Sequence, residues 1–109
     1  MRKLLISIAL LGGMAHAADM SADQQVAAKD LAKASGCLSC HALNEKIVGP
    51  AYANVAEKYK DDADAVASLA QSIQYGSKGK WGRIPMPPHA SLSADELKTL
   101  ATWVMTIKK

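Results

Sequence analysis

Two thiols and an imidazole stand within five residues, Cys37-Leu38-Ser39-Cys40-His41. Cysteines separated by two residues can each form a thioether to one of the two vinyl groups of a single porphyrin, and C-x-x-C-H is the attachment pattern of a c-type haem. The histidine, next in the chain, is then held under the iron and can supply a neutral imidazole nitrogen as proximal ligand. Two other chemistries use a bare C-x-x-C. A thioredoxin-like redox pair belongs to a strand-helix unit, and no strand-rich pattern precedes Cys37. A tetrahedral zinc site needs four ligands, for which only Cys37, Cys40, His41 and His89 are available. Haem attachment is the reading carried forward.

An iron held by one histidine has a second axial position, and Met86 is the residue placed to fill it. It lies in Ile84-Pro85-Met86-Pro87-Pro88, where the prolines stiffen an extended backbone. A loop already ordered loses less entropy when its sulfur binds iron. A loop methionine more commonly just packs against the core. Of the alternatives, however, Met20 falls at the fraying start of the mature chain and Met105 on a helix that must cover the core.

The elements that position these groups read as helices. Ser21-Ala22-Asp23-Gln24 is a capping box, and the stretch to Ser35 carries Val26, Ala27 and Leu31 on one side, with Gly36 placed to end it. That helix delivers Cys37. After the Gly49-Pro50 turn, Ala51 to Tyr59 forms a short helix with Tyr52, Val55, Ala56 and Tyr59 on one side. Val66, Leu69, Ala70 and Ile73 have amphipathic spacing, and Gly76 can stop that helix. Residues 76–89 hold three Gly and three Pro and form a shaped loop. Ser93-Ala94-Asp95-Glu96 is a second capping box, followed by Leu97, Leu100, Ala101 and Val104 on one stripe. The chain is expected to end as a helix, with Lys108 and Lys109 favourably placed against its dipole. The architecture is all-α, with terminal helices that can cross.

Arg2 and Lys3, the apolar run Leu4 to Met14 and the small-residue Ala15-His16-Ala17 are the three parts of a secretory signal peptide. Residues 1–17 are therefore expected to be cleaved, leaving one domain over 18–109. The run is too short to span a bilayer, so no membrane insertion is expected after cleavage. Without residues 1–17, 11 Lys and Arg face 10 Asp and Glu, nothing like the basic balance of a nucleic-acid binder. The chain has no Phe and the 18–109 segment carries 17 Ala, so large core side chains are scarce. Small domains with thin cores lean on a cofactor, metal or disulfide, and a buried porphyrin would supply the missing apolar volume.

Five motifs in order resemble one family: Gly36-Cys37-Leu38-Ser39-Cys40-His41, Val48-Gly49-Pro50-Ala51-Tyr52, Gly76-Ser77 followed by Trp81-Gly82, Ile84-Pro85-Met86-Pro87-Pro88, and Leu100-Ala101-Thr102-Trp103-Val104. The chain resembles a small bacterial class I cytochrome c, most closely the cytochrome c-551 group. The resemblance implies a class I fold of about four helices around one covalently bound haem c, with crossing N- and C-terminal helices. It implies that Cys37 and Cys40 hold the haem, that His41 and Met86 bind its iron, that the Pro50 carbonyl accepts from His41, and that Trp81 donates its indole N–H to a propionate. Three positions depart from the family pattern. Ser72 stands where relatives often have an arginine near a propionate. Ala32 stands where they often have an aromatic, which predicts looser packing on Trp103. His89 replaces an Asn that bonds the methionine sulfur, and its protonation could then modulate the reduction potential.

Two protein ligands leave the iron no open position, so the expected function is electron transfer without substrate chemistry. The protein would be a periplasmic, monomeric carrier of single electrons, and the resemblance implies traffic from a quinol-oxidising complex to a terminal oxidase, nitrite reductase or peroxidase. Lys46, Lys78, Lys80 and Arg83 can steer an acidic partner, or simply confer solubility. The rival readings are a small peroxidase or gas-binding haem protein with a displaceable methionine, and a haem sensor or a subunit of a larger complex. A phosphate-binding loop at Gly76-Ser77-Lys78-Gly79-Lys80 fails on spacing and on following a helix instead of a strand.

Overall fold

Ser21 and Ser93 each start a helix by the same reciprocal device. In the computed structural model, which describes residues 20–109, the Ser21 hydroxyl accepts from the Gln24 N–H at 3.1 Å while the Ser21 N–H donates to Gln24 Oε1 at 2.8 Å. Ser93 and Glu96 repeat this at 3.1 and 3.0 Å. The two capping boxes open α1, Ala22–Ala34, and the last helix, Ala94–Met105. Between them lie α2, Tyr52–Tyr59, and α3, Ala65–Tyr75, which makes the last helix α4. Gly36, with φ at 79°, ends the α1 segment, and a single 3-10 turn at Cys37–Ser39 follows. Among the described residues there is no strand, only two isolated bridges, His41 with Lys46 and Ser77 with Met86. The expected signal segment, residues 1–17, lies outside the described residues.

Helix α4 is the hub, in contact with α1, α2 and α3. Its predicted stripe is buried as expected, with Leu97, Leu100, Ala101 and Val104 inside, and Trp103 joins them. Each buried Leu or Val of this kind stabilises by about 1.5–3 kcal/mol. The faces predicted for α2 and α3 also turn inward: Tyr52, Val55, Ala56 and Leu69 are buried, and Tyr59, Val66, Ala70 and Ile73 half-buried.

Two expectations need correction. On α1 the buried residues are Ala28 and Ala32, and Leu31 of the expected side is half-buried against the core, while Val26 is 61% exposed and Ala27 is exposed too. Small side chains let α1 lie close on α4, and that fit outweighs the larger apolar side chain of Val26. Helix α4 also stops at Met105, short of the chain end, so Lys108 and Lys109 lie beyond its last turn. The N–H groups of Thr106 and Ile107 bond to Trp103 and Val104 three residues back, and the Thr106 hydroxyl takes the Trp103 carbonyl at 2.6 Å. These bonds tighten and close the helix.

Ala28, Ala32 and Ala101 are fully sealed, but no large side chain among the described residues is less than 2% exposed. The sealed alanines lie on α1 and α4, while larger side chains such as Val55, Leu69 and Leu100 line a cleft. Ala32 at 0% and Trp103 at 3% exposure show no opening to solvent where looser packing was expected. Ala32→Leu should therefore overpack this contact and cost about 1–3 kcal/mol in a denaturant titration. An equal or higher stability would mean that space is left beside Ala32.

Candidate haem site

The 3-10 turn folds the C-x-x-C-H run back on itself. Both the Cys40 and His41 N–H groups bond to the Cys37 carbonyl, at 3.3 and 3.1 Å, and the Ser39 hydroxyl caps the Gly36 carbonyl at 2.6 Å. Cys37 is buried and Cys40 half-buried, and no disulfide joins them. Burial pushes the Cys37 thiol above its ordinary pKa, and the neighbouring Tyr52 hydroxyl partly opposes this.

His41 is the one buried polar residue among those described, and a buried imidazole needs a partner. Its Nδ1 donates to the Pro50 carbonyl at 2.7 Å. That bond sets the tautomer, leaving the Nε2 lone pair available to a metal. Residues 42–53 are folded to bring the carbonyl there: the Gly49 N–H bonds to the Cys40 carbonyl at 2.7 Å, and the Tyr52 and Ala53 N–H groups bond to the Ala42 and Leu43 carbonyls. Gly49 lies against the ring. A Cβ there would come within 2.6 Å of His41 Cε1 and 2.9 Å of Nδ1. Tyr52 stacks on the imidazole, with centroids 4.6 Å apart and planes at 17°, and meets Trp103 edge-on at 5.5 Å. Burial, then the Cys37 and Cys40 sulfurs, hold the Tyr52 phenol well above its usual range.

Met86 reaches the same cleft from the 76–89 loop. Its N–H donates to the Ser77 carbonyl at 2.8 Å and its carbonyl accepts from the Ser77 N–H at 3.1 Å, so the backbone is pinned on both sides. Gly76 permits this by its φ of 80°, and a Cβ there would sit 2.5 Å from the Met86 oxygen. The His89 N–H ties the end of the loop to the Ile73 carbonyl at 2.9 Å. The His89 side chain makes no hydrogen bond among the described residues and does not line the cleft, so no contact with the Met86 sulfur supports a tuning role.

All six residues expected at the site, Cys37, Cys40, His41, Pro50, Trp81 and Met86, line this one cleft. Its empty space is about 1040 Å³, part of it open to solvent, and its floor includes Val55, Leu69, Ile73, Leu100 and Val104. The residues fit a haem: two thiols at the required spacing, a neutral imidazole with its tautomer set, a thioether on a pinned loop, and apolar walls. The sequence reading gave no site role to Gly49, Tyr52 or Lys58, and it named Ser72 without its partner. Gly49 and Tyr52 lie inside a recognised motif but bear on the site only through the ring they touch. Ser72 accepts from Lys80 Nζ at 3.3 Å, and Lys58 Nζ lies 4.6 Å from the centroid of the Trp81 ring. Gly49→Ala should displace the imidazole and destabilise the haem-loaded protein by about 1–3 kcal/mol in guanidinium unfolding. An unchanged unfolding midpoint would show that the ring has room to move.

Comparison with known proteins shows the family. Residues 25–108 match the cytochrome c family. The chain is similar to cytochrome c-551 of Pseudomonas denitrificans, 51% identical over 80 residues that cover 73% of this chain and 96% of that one. Cytochrome c-551 of Pseudomonas aeruginosa is 55% identical over 78 residues, 72% of this chain and 74% of its own. The crystal structure of Nitrosomonas europaea cytochrome c552 superposes with a TM-score of 0.71 at 48% identity, covering 73% of this chain and 99% of that chain. The chain belongs to the cytochrome c family, as a small class I monohaem electron-transfer cytochrome of the c-551 group with covalently bound haem c.

Proposed function

We propose that this protein is an exported electron carrier in which Cys37 and Cys40 hold the haem by thioethers and His41 and Met86 are its axial ligands. The observation that carries this reading is the Nδ1–Pro50 bond, which presents a fixed neutral imidazole to a cleft that Met86 also lines. When bound, haem c supplies a one-electron ferrous/ferric couple, and a thioether ligand raises its potential. The role of the chain is to hold both ligands still. Gly49 and Tyr52 limit movement of the imidazole, while the paired hydrogen bonds to Ser77 limit movement of the methionine backbone. Trp81 lines the cleft, and its indole N–H has no hydrogen-bond partner among the described residues, as suits a donor to a propionate. Two ligands on braced backbone leave no site for oxygen or peroxide, which favours a carrier over a peroxidase or gas sensor.

The rim fits brief encounters with redox proteins. Ile47, Val48, Trp81 and Ile84 are exposed apolar residues, and the last three line the cleft. Lys46, Lys78 and Arg83 are exposed cations able to steer an acidic partner, whereas the Lys80 ammonium is turned onto Ser72. Among the described residues no helix is long and apolar enough to cross a membrane. The signal pattern of residues 1–17 supports a carrier in the periplasm. It would take electrons from a quinol-oxidising complex and pass them to a terminal oxidase, nitrite reductase or peroxidase.

The test is the optical spectrum of the purified protein in both oxidation states. We expect sharp low-spin reduced bands, the ferric charge-transfer band of sulfur on iron, and no carbon monoxide binding by the reduced protein. Met86→Ala should lose the charge-transfer band and gain carbon monoxide binding. A high-spin spectrum in the unaltered protein would overturn the proposed ligation and favour an enzyme or sensor.

A further inference from the structure

Two lysines make contacts around the Trp81 end of the cleft, and neither is paired with a carboxylate. Lys80 Nζ donates to Ser72 Oγ at 3.3 Å, a contact that bends the loop lysine back onto α3, and Ser72, Lys80 and Trp81 all line the cleft. Lys58, from α2, lies over the Trp81 ring at 4.6 Å. Lys78 and Arg83 belong to the same loop and are exposed. The other titratable side chains lining the cleft are Cys37, Cys40, His41, Tyr52 and Tyr59. No Asp or Glu lines it, and the one ion pair among the described residues is Lys60 with Glu57.

An exposed lysine can extend freely into water. Holding it on a serine at the lip of an apolar cleft has a physical reason if an anion is presented from inside. A haem seated there carries two carboxylates on propionate arms. We propose that Lys80, oriented by Ser72, binds a haem propionate. The proposal rests on the haem-site reading above, and it assigns Lys80 to the cofactor instead of to partner steering.

An ammonium beside a propionate offsets negative charge near the iron and so disfavours the ferric state relative to the ferrous. In the haem-loaded protein, Lys80→Gln should shift the ferrous/ferric equilibrium about three- to tenfold toward ferric, tenfold being about 59 mV for a one-electron couple. Lys80→Arg, which keeps the charge, should hold the original potential. Lys29→Gln, on the exposed face of α1, removes a cation that solvent screens and should shift the equilibrium less than about twofold. A Lys80→Gln potential equal to that of the unaltered protein or of Lys29→Gln would overturn the proposal, as would an equal loss in Lys80→Arg. The potential shift tests the propionate contact whichever axial ligand is present, while the sulfur-to-iron band tests the ligation, so the two readings fail separately.

Discussion

The 2.7 Å hydrogen bond from His41 Nδ1 to the Pro50 carbonyl is the constraint from which the rest of the structure can be understood. A buried imidazole without a partner would cost free energy and could rotate, and either tautomer would then be open to it. With the Pro50 oxygen in place, one nitrogen is committed and the other is left as a metal donor. Each element near the site serves that geometry. The 3-10 turn returns His41 beneath Cys37, the Cys40–Gly49 and Ala42–Tyr52 hydrogen bonds bring Pro50 round, and the missing Cβ of Gly49 makes room for the ring. Tyr52 stacks on the ring from α2, and through its edge contact with Trp103 it ties the site to α4.

The interior divides into two regimes. Where α1 meets α4, alanines are sealed completely and the helices rely on close approach. Around the cleft, larger side chains such as Leu69, Val55 and Leu100 present apolar surface to a space that they do not fill. The chain has no phenylalanine, and a porphyrin there would add apolar volume to the core. The cofactor is thus part of the hydrophobic core as well as the redox centre, and haem binding and folding stability are linked.

Electrostatics at the cleft are arranged by sign. The floor carries no carboxylate, and cations gather at the Trp81 end, held by an aromatic face and a hydroxyl in place of ion pairs. Screening by water keeps such exposed charges cheap while the cleft is open. The same charges act more strongly on an anion brought up against them, because an apolar wall displaces water from one side.

What the sequence determined by itself was whatever depends on near neighbours in the chain. The C-x-x-C-H spacing, both capping boxes, the buried stripes of α2, α3 and α4, and the proline-braced Met86 are set by contacts or periodicities spanning a few residues, and all were legible. Tertiary structure decided what depends on elements meeting. The buried face of α1 was misread because Val26 outranks Ala28 in hydrophobicity, yet closeness to α4 favours the smaller side chain. The end of α4 was misplaced because bonds three residues back close its last turn. The Tyr52–His41 stack, the Ser77–Met86 bridge and the Lys80–Ser72 contact join residues eight or more positions apart, and no local pattern marks them. Spacing along a chain specifies which groups are available for chemistry, whereas their orientation and surrounding charge arise only when separate elements are packed together.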